Sequence, residues 1–262
     1  MLFWFSKNTA LVLSMARRDI IGRYKGSVLG LFWSLFNPLF MLAVYTFAFG
    51  FIFKAKWPGL ADNPYSFALT LFPALLVFNF ITECATRAPG LIVGNPSYVK
   101  KVVFPLEILP LVVAVSSLFH FFVGFIVWCL ISLGVTGSLH LSLVLIPFIL
   151  LPLVIFSLGL SWILASLGVY LRDIQQVIGV LMSALIFLSP VFYSIETVPE
   201  QFRSILLANP ITHFVNMTRS IMVFGDVPSF GYWFMSLVGS IAFALFGAWW
   251  FATTRKGFAD VL

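Results

Sequence analysis

The sequence predicts an all-α fold: a polytopic membrane protein with six transmembrane helices, an N-terminal amphipathic interface helix, and short re-entrant helices between the fifth and sixth spans. Of its 262 residues, 61% are hydrophobic and only 9% are charged, whereas an average soluble domain is about 25% charged. A soluble core of this size could not hide so much apolar surface. Residues 1–262 are therefore expected to form a single transmembrane domain.

The apolar residues fall in six long blocks, and a helix needs about 20 mostly apolar residues to cross the hydrocarbon. The blocks are residues 28–53, 65–85, 106–132, 141–167, 177–193 and 230–251, of which the fifth is short. A transmembrane β-barrel would show segments of about ten residues with strict alternation. These blocks do not alternate, so helices are the predicted spanning structures.

The basic residues predict the orientation, because cytoplasmic loops carry an excess of Lys and Arg. With six spans both termini share one side, which receives eleven basic residues against four on the other. The eleven are Lys7, Arg17, Arg18, Arg23, Lys25, Arg87, Lys100, Lys101, Arg172, Arg255 and Lys256, and the four are Lys54, Lys56, Arg203 and Arg219. Both termini are expected in the cytoplasm. No cleavable signal peptide is expected, since residues 2–5 are too short for its apolar region.

Two segments outside the spans carry further expectations. Residues 1–27 mix apolar and charged side chains, which predicts an amphipathic helix in the cytoplasmic interface. Residues 194–228 are a long outer connection in which Pro199 and Asn209-Pro210 punctuate two short helices. Partly apolar, broken backbone at membrane depth is tolerated only against protein or water. The segment therefore predicts a periplasmic gate, with a surface loop docked on the outer leaflet as the alternative.

No catalytic, nucleotide-binding or metal-binding pattern occurs in the sequence. The three histidines are scattered, the two cysteines lack zinc spacing, and nothing matches the phosphate-cradling GxxxxGK[ST] loop. Transport driven by protons or sodium normally needs acidic residues at mid-membrane. The nearest, Glu83 and Glu107, lie at predicted cytoplasmic ends of spans. The energy for any transport is thus expected to come from another component. No cofactor or metal is expected in this chain.

Aromatic residues are abundant and form clusters that could line a conduit. Their other reading is lipid-facing packing and interfacial belts. A wet, partly apolar path lined by rings suits sugars, whose C–H faces lie well on aromatic surfaces. The candidate channel-lining residues are Phe32, Trp33, Phe36, Phe40, Phe187, Phe192 and Tyr193.

Several segments together resemble the membrane subunit of ABC-2 type polysaccharide exporters, the family of O-antigen, capsule and teichoic acid permeases. They follow in order along nearly the whole chain: Arg17-Arg18-Asp19-Ile20, Arg23-Tyr24-Lys25-Gly26-Ser27-Val28-Leu29-Gly30 with Trp33, Lys100-Lys101-Val102-Val103-Phe104-Pro105-Leu106-Glu107 with Leu109-Pro110, Tyr170-Leu171-Arg172-Asp173-Ile174, Ser189-Pro190-Val191-Phe192-Tyr193, Val198-Pro199 and Asn209-Pro210. No single motif is decisive, but their joint order is specific.

The resemblance implies a homodimeric permease in the bacterial inner membrane. Two copies of a separate ATPase subunit would carry ATP and Mg, and the substrate would be a glycan on a polyprenyl lipid, exported from the cytoplasm. Membrane lipids are further partners, and no nucleic acid is expected. A permease for a drug or small lipid shares the fold and stays open. A membrane-embedded glycosyl- or acyltransferase is less favoured, because it needs converging polar catalytic residues.

Within this interpretation three surfaces are assigned. The ATPase contact comprises Pro96, Ser97, Tyr98, Lys100, Lys101, Arg172 and Asp173. The gate comprises Pro199, Ile205, Leu206, Leu207, Asn209 and Pro210. At the cytoplasmic access side, Arg17, Arg18, Arg23 and Lys25 could guide the lipid pyrophosphate, since arginine binds phosphate by bidentate, charge-assisted bonds. An equally open alternative is that these four residues set the membrane topology and anchor the chain to lipids.

Overall fold

The computed structural model describes residues 2–54, 57–58, 64–100 and 104–262. Within these ranges the chain forms helices joined by turns, and no strand occurs, so the all-α prediction is confirmed. The α-helices are α1 Leu2–Tyr24, α2 Phe32–Tyr45, α3 Pro64–Arg87, α4 Gly90–Val93, α5 Pro96–Lys100, α6 Ile108–Thr136, α7 Ile146–Tyr170, α8 Ile174–Leu185, α9 Glu200–Ala208, α10 Pro210–Arg219, α11 Phe230–Thr254 and α12 Phe258–Val261.

Five helical stretches in the described ranges are long and apolar enough to cross a bilayer: Phe32–Ile52, Tyr65–Arg87, Ile108–Thr136, Leu141–Tyr170 and Phe230–Val261. The first includes a π-helical continuation of α2, Thr46–Ile52. The fifth predicted span differs, because α8 has only 12 residues. At 1.5 Å per residue it covers about 18 Å, short of the roughly 30 Å hydrocarbon core. The remainder of that block, residues 186–193, forms turns and bends.

The spans alternate in direction, so the bundle has two ends. We call the end that carries Arg87, Glu107, Tyr170 and Thr254 the inner end, after the predicted topology, and the opposite one the outer end. Non-covalent contacts show that these helix ends lie together. The Tyr170 hydroxyl donates to Thr254 O at 2.8 Å, and Arg255 forms an ion pair with Glu107. Both α1 and α12 lie at the inner end; the side of the membrane it faces stays a prediction.

The core is built on α3 and on the pair α7–α11. About 83% of the span in α3 is buried inside the protein, against 11% for the span that begins with α2. Helices α7 and α11 pack in close contact along small residues, since a Cβ added at Gly159 would lie 2.7 Å from Ala244 Cα. Small residues at helix interfaces in membranes let backbones approach closely and gain van der Waals contact.

The predicted gate segment forms two short helices, as expected. α9 begins directly after Pro199, and α10 begins with Pro210, which occupies the first turn where its missing N–H costs nothing. The Asn209 side chain caps α10 by accepting from Ile211 N at 3.0 Å. α10 packs against α3 and α7 and is largely buried, whereas α9 buries only Leu206. A loop merely docked on the membrane surface therefore does not describe α10.

The α7–α11 contact generates a stability prediction. Gly159→Ala is expected to lower the free energy of unfolding by about 1–3 kcal/mol, because the new methyl meets backbone atoms that cannot rotate away. Gly239→Ala on α11 is the matched control, since nothing lies within 4 Å of its added Cβ. Thermal unfolding in detergent measures both, and equal melting temperatures for the two variants would contradict close packing at Gly159.

Candidate functional site

A large polar opening lies between the end of α1 and helices α2, α3 and α6. Its volume is about 690 Å³. Polar side chains reach it from each wall, namely Asn37 on α2, Asn79 and Glu83 on α3, and Ser117 and His120 on α6. Rings complete the lining: Tyr24, Trp33, Tyr45, Phe72, Phe80 and Phe121. We call this space the α2 cavity.

The α2 cavity exists because α2 does not pack tightly on its neighbours. Pro38 interrupts the backbone hydrogen bonding of α2, and Leu42 is its one buried residue in the described structure. Elsewhere α3 and α6 approach closely, since a Cβ added at Gly124 would run into the Leu76 side chain. The groove left between α2 and this tight pair is the cavity.

Three polar atoms of the cavity lining are buried without a hydrogen-bond partner among the described residues. They are Thr82 Oγ1, Ser117 Oγ and His120 Nε2. The three atoms lie beneath the cavity surface rather than on it, since they have almost no accessible area, although buried polar groups are nearly always hydrogen-bonded. With the two carboxamides and the rings, the cavity can bind a hydroxyl-bearing molecule between polar and aromatic surfaces.

A four-residue ion network lines the inner side of the α2 cavity and joins α1 to α3. Arg87 donates to both oxygens of Asp19, from Nη2 to Oδ1 at 2.6 Å and from Nη1 to Oδ2 at 3.0 Å. Glu83 lies 3.3 Å from Arg87 and also pairs with Arg23. Two carboxylates and two guanidiniums make the network electrically balanced. It fixes α1 at the mouth of the cavity.

The network also sets the charge state of Asp19. Burial by itself would raise the pKa of Asp19, but hydrogen bonds from Arg87 and the positive charges of Arg87 and Arg23 hold the pKa below its ordinary 3.8. Burial and the neighbouring charge of Arg87 lower the pKa of Arg23. Asp19 is therefore a carboxylate at neutral pH, and its pairing with Arg87 is a charge-assisted, bidentate contact.

The four residues predicted at the access side are divided by the structure. Arg23 belongs to the ion network, so its guanidinium already has carboxylate partners. Arg17, Arg18 and Lys25 are exposed, and Arg18 Nη2 lies 3.4 Å from the hydroxyl of Tyr98. A role of these cations with pyrophosphate stays a prediction, and Arg23, although also exposed, fits it less well because it pairs with Asp19 and Glu83.

The predicted channel aromatics form two separate groups. Phe32, Trp33, Phe36 and Phe40 make a ladder along α2, with the Phe36 and Phe40 rings stacked at 5.8 Å, and of these Trp33 lines the α2 cavity. At the outer half, Phe187 stacks on Phe192 at 5.6 Å. Phe192 also stacks on Phe49 of the α2 continuation, and the Tyr193 hydroxyl donates to Phe187 O. Both groups keep exposed ring faces, so lining a conduit stays a prediction.

The residues predicted to contact an ATPase lie together at the inner end. Pro96, Ser97, Tyr98 and Lys100 belong to α5, and Arg172 and Asp173 form the exposed turn between α7 and α8. Lys101 lies outside the described residues. The two pieces are linked through Pro89 and Gly90, because Gly168 of α7 packs on the Pro89 backbone and Gly90 lies near Gln175 of α8. The contact role itself stays a prediction.

The predicted gate residues take different positions. Ile205 and Leu207 on α9 are 64% and 48% exposed, whereas Leu206 is buried. Pro199 and Pro210 start α9 and α10, and Asn209 joins the two helices. Gating by these residues stays a prediction.

Sequence reasoning missed two features of the site. Asp19, Glu83 and Arg87 were not assigned to one cluster, although Asp19/Arg23 and Glu83/Arg87 each carry opposite charges at a spacing of four. Arg219 was counted among the outer basic residues, yet it is 4% exposed, with its guanidinium 4.4 Å above the Trp57 ring. The position of Arg219 in the sequence, after an amphipathic stretch, gave no indication that its side chain points into the protein.

The ion network generates a pH prediction. Asp19→Asn is expected to lower the free energy of unfolding at pH 7 by roughly 1–3 kcal/mol, because charge-assisted hydrogen bonds to Arg87 are lost. Since the folded-state pKa of Asp19 is lowered, the difference between wild type and variant is fully present above pH 3.8 and shrinks as the pH falls through the folded-state pKa.

Thermal unfolding of both proteins from pH 7 to pH 3 measures this difference. Asp260→Asn, at an exposed acid of the same end, is the control and should change little at any pH. A wild-type advantage that persists undiminished at pH 3 would contradict the assignment of the stabilisation to the Asp19 carboxylate.

Comparison with known proteins agrees with this architecture. The family description "ABC-2 type transporter" matches residues 10–223. The chain is similar to the O-antigen export system permease protein RfbA of Klebsiella pneumoniae, 27% identical over 96% of this chain and 95% of the relative. It is also similar to the polysialic acid transport protein KpsM of Escherichia coli, 24% identical over 85% of each chain.

A shorter similarity is to a permease named for drug resistance. The daunorubicin resistance ABC transporter permease protein DrrB1 of Streptomyces coeruleorubidus is 32% identical over 40% of this chain and 33% of its own length. The family match begins within α1 and covers the first four of the five long spans, α8 and the outer helices, which is well over half of the chain. This multi-pass membrane protein belongs to the ABC-2 type transporter family.

Proposed function

We propose that the chain is the permease subunit of an exporter that moves a polyprenyl-linked polysaccharide from the cytoplasm to the periplasm across the bacterial inner membrane. The observation that carries the proposal is the similarity to an O-antigen export permease along 96% of the chain. A similarity of that extent includes the outer helices and α1, which surround the two regions where a substrate would enter and leave.

The chemistry of the α2 cavity supports a sugar as the transported group. Asn37 and Asn79 offer hydrogen bonds to hydroxyls, and Trp33 offers a ring face. The neighbouring charges are already paired in the ion network. A cavity with neutral hydrogen-bonding groups beside rings favours an uncharged polyol over an isolated anion.

The energy is proposed to come from two copies of a separate ATPase subunit that hold the ATP and Mg. The sequence contains no phosphate-cradling loop of its own. The exposed surfaces of α5 and of the turn Arg172-Asp173, both at the inner end, are suited to receive such a partner. A second copy of the chain is proposed to pack against the exposed aromatic face of α2, whose span is only 11% buried in the described structure.

A permease for a drug or small lipid is the second candidate, favoured by the similarity to DrrB1. That similarity covers 40% of the chain, whereas the similarity to the O-antigen permease covers 96%. We therefore rank the polysaccharide first.

Reconstitution with the ATPase subunit tests this function. The purified chain alone is expected to show no ATP hydrolysis, and the complex in liposomes is expected to move a lipid-linked glycan only when ATP is supplied. An ATPase subunit unable to hydrolyse ATP is the control. ATP hydrolysis by the chain alone would contradict the proposal that a separate subunit carries the ATPase activity. ATP-driven movement of daunorubicin but not of the glycan would replace the first candidate by the second.

The outer helices generate a prediction about the closed state. A conduit wide enough for a glycan must be sealed against ions when idle, and hydrophobic constrictions seal by dewetting. Ile205 and Leu207 are exposed on α9, and their replacement by Ser is expected to raise ion flux through the complex without ATP by at least about tenfold.

Liposome flux assays measure this leak. Phe202→Ser, on the same helix and 51% exposed, controls for a general loss of apolar surface on α9. Flux at background in Ile205→Ser/Leu207→Ser, with the complex intact, would show that α9 does not seal the conduit.

A further inference from the structure

The chain breaks its helical path at the outer end of α8. After Leu185 the backbone turns through residues 186–193, which we call the α8 hinge. Ser189, Pro190 and Val191 in its middle are buried. Carbonyl groups of a turn are not bonded within a helix, and in apolar surroundings each needs a donor from elsewhere.

Two side chains of the outer helices supply most of these donors. Asn209 Nδ2 donates to Leu188 O at 3.1 Å and to Ser189 Oγ at 2.9 Å. Arg219 Nη2 donates to Pro190 O at 2.8 Å and to Val191 O at 3.1 Å. Asn209 precedes the first residue of α10 and Arg219 is its last, so the two ends of one helix hold the α8 hinge.

α10 is itself fixed to the core. Phe214, Val215 and Met217 are buried, and α10 packs against α3. Arg219 adds a bond from Nε to Thr70 O of α3 at 3.2 Å and stacks on Trp57. The polar contacts to the α8 hinge therefore connect the outer end of α8 to the most buried part of the bundle.

The rest of α8 is held far less. Ile178 and Met182 are its buried residues in the described structure, whereas Val177 and Val180 are 56% and 73% exposed. At its inner end the Asp173 side chain makes no capping hydrogen bond, and both Arg172 and Asp173 are exposed. The outer end of α8 is thus fastened by side-chain hydrogen bonds from α10, whereas its inner end is held by the packing of Ile174 and by the proximity of Gln175 to Gly90.

We infer that α8 swings about the α8 hinge, with Asn209 and Arg219 as positioning residues that keep its outer end fixed while its inner end moves. The direction of the drive rests on the proposed function, since the ATPase would push at Arg172 and Asp173. A helix fixed in this way converts a push at the inner end into a change of angle beside the aromatic group of Phe187 and Phe192. It does not slide along its axis.

Asn209→Asp separates the two roles of this side chain. The carboxylate still caps α10 through its oxygen, but it cannot donate to Leu188 O and Ser189. Without ATP, hydrogen exchange measured by mass spectrometry is expected to rise about tenfold in residues 186–193 and to stay unchanged in α7 and α11. Gln201→Glu, the same change of amide to carboxylate at an exposed position of α9, is the matched control. Unchanged exchange in 186–193, or an equal rise throughout the bundle, would overturn the positioning role.

Arg219 provides an independent second variant. Arg219→Lys keeps a positive charge but can bond fewer carbonyls than the guanidinium fork, so exchange in residues 186–193 should rise while the protein still folds. Exchange at the wild-type level in Arg219→Lys would show that the fork does not hold the turn.

The swing itself is tested on the complex with the ATPase subunit, by comparing ATP-free protein with protein trapped by ATP and vanadate. Trapping is expected to change exchange around residues 172–180 and to leave 186–193 as it was, and in Asn209→Asp the change should spread into 186–193. Equal changes at both ends of α8 in the wild type would mean axial sliding and would overturn the hinge. A complex without any ATP hydrolysis would instead refute the proposed function, and the ATP-free exchange would still decide the role of Asn209.

Discussion

The structure depends on one constraint: a backbone or side-chain polar group inside the bilayer must find its partner within the protein. An unpaired amide or hydroxyl in an apolar medium costs several kcal/mol. The non-helical parts of the chain lie where polar groups of another segment can hydrogen-bond to them. Three indole N–H groups follow the same rule, since Trp128, Trp162 and Trp233 donate to carbonyls of Leu69, Glu107 and Phe148 on other segments. Trp250 Nε1 is the exception, because it is buried without a partner among the described residues. These bonds tie neighbouring elements at fixed heights.

Close packing and loose packing are divided between different helices. The α7–α11 pair approaches through glycine and alanine, and α3 is enclosed on nearly all sides. α2 and α8 keep most of their apolar surface outside the core. A protein that must open for a bulky molecule needs a rigid part and a part that can shift, because packed cores do not deform continuously. The α2 cavity and the α8 hinge both lie where rigid and loosely held helices meet.

Much of the fold could be predicted from local signals, but much of the site could not. Hydropathy located the spans, since the length of an apolar run measures its ability to cross hydrocarbon. Pro199 and Asn209-Pro210 located α9 and α10, because proline and asparagine act on their own turn. The Asp19–Arg87 pair joins residues 68 positions apart, and nothing local records that contact. Ring orientations along α2 and the inward turn of Arg219 likewise depend on tertiary packing.

The dependence of α1 on later segments has a consequence for how the chain is made. Val12 and Ala16 pack on Ile108, Leu111 and Val112, and Asp19 binds Arg87. During synthesis α1 leaves the ribosome well before any of these partners exists. α1 therefore stays at the membrane surface, with its charged side chains hydrated, until α3 and α6 have been inserted. A helix that is translated before its partners is in this way among the last to reach its final position, and its docking requires that α3 and α6 already lie side by side.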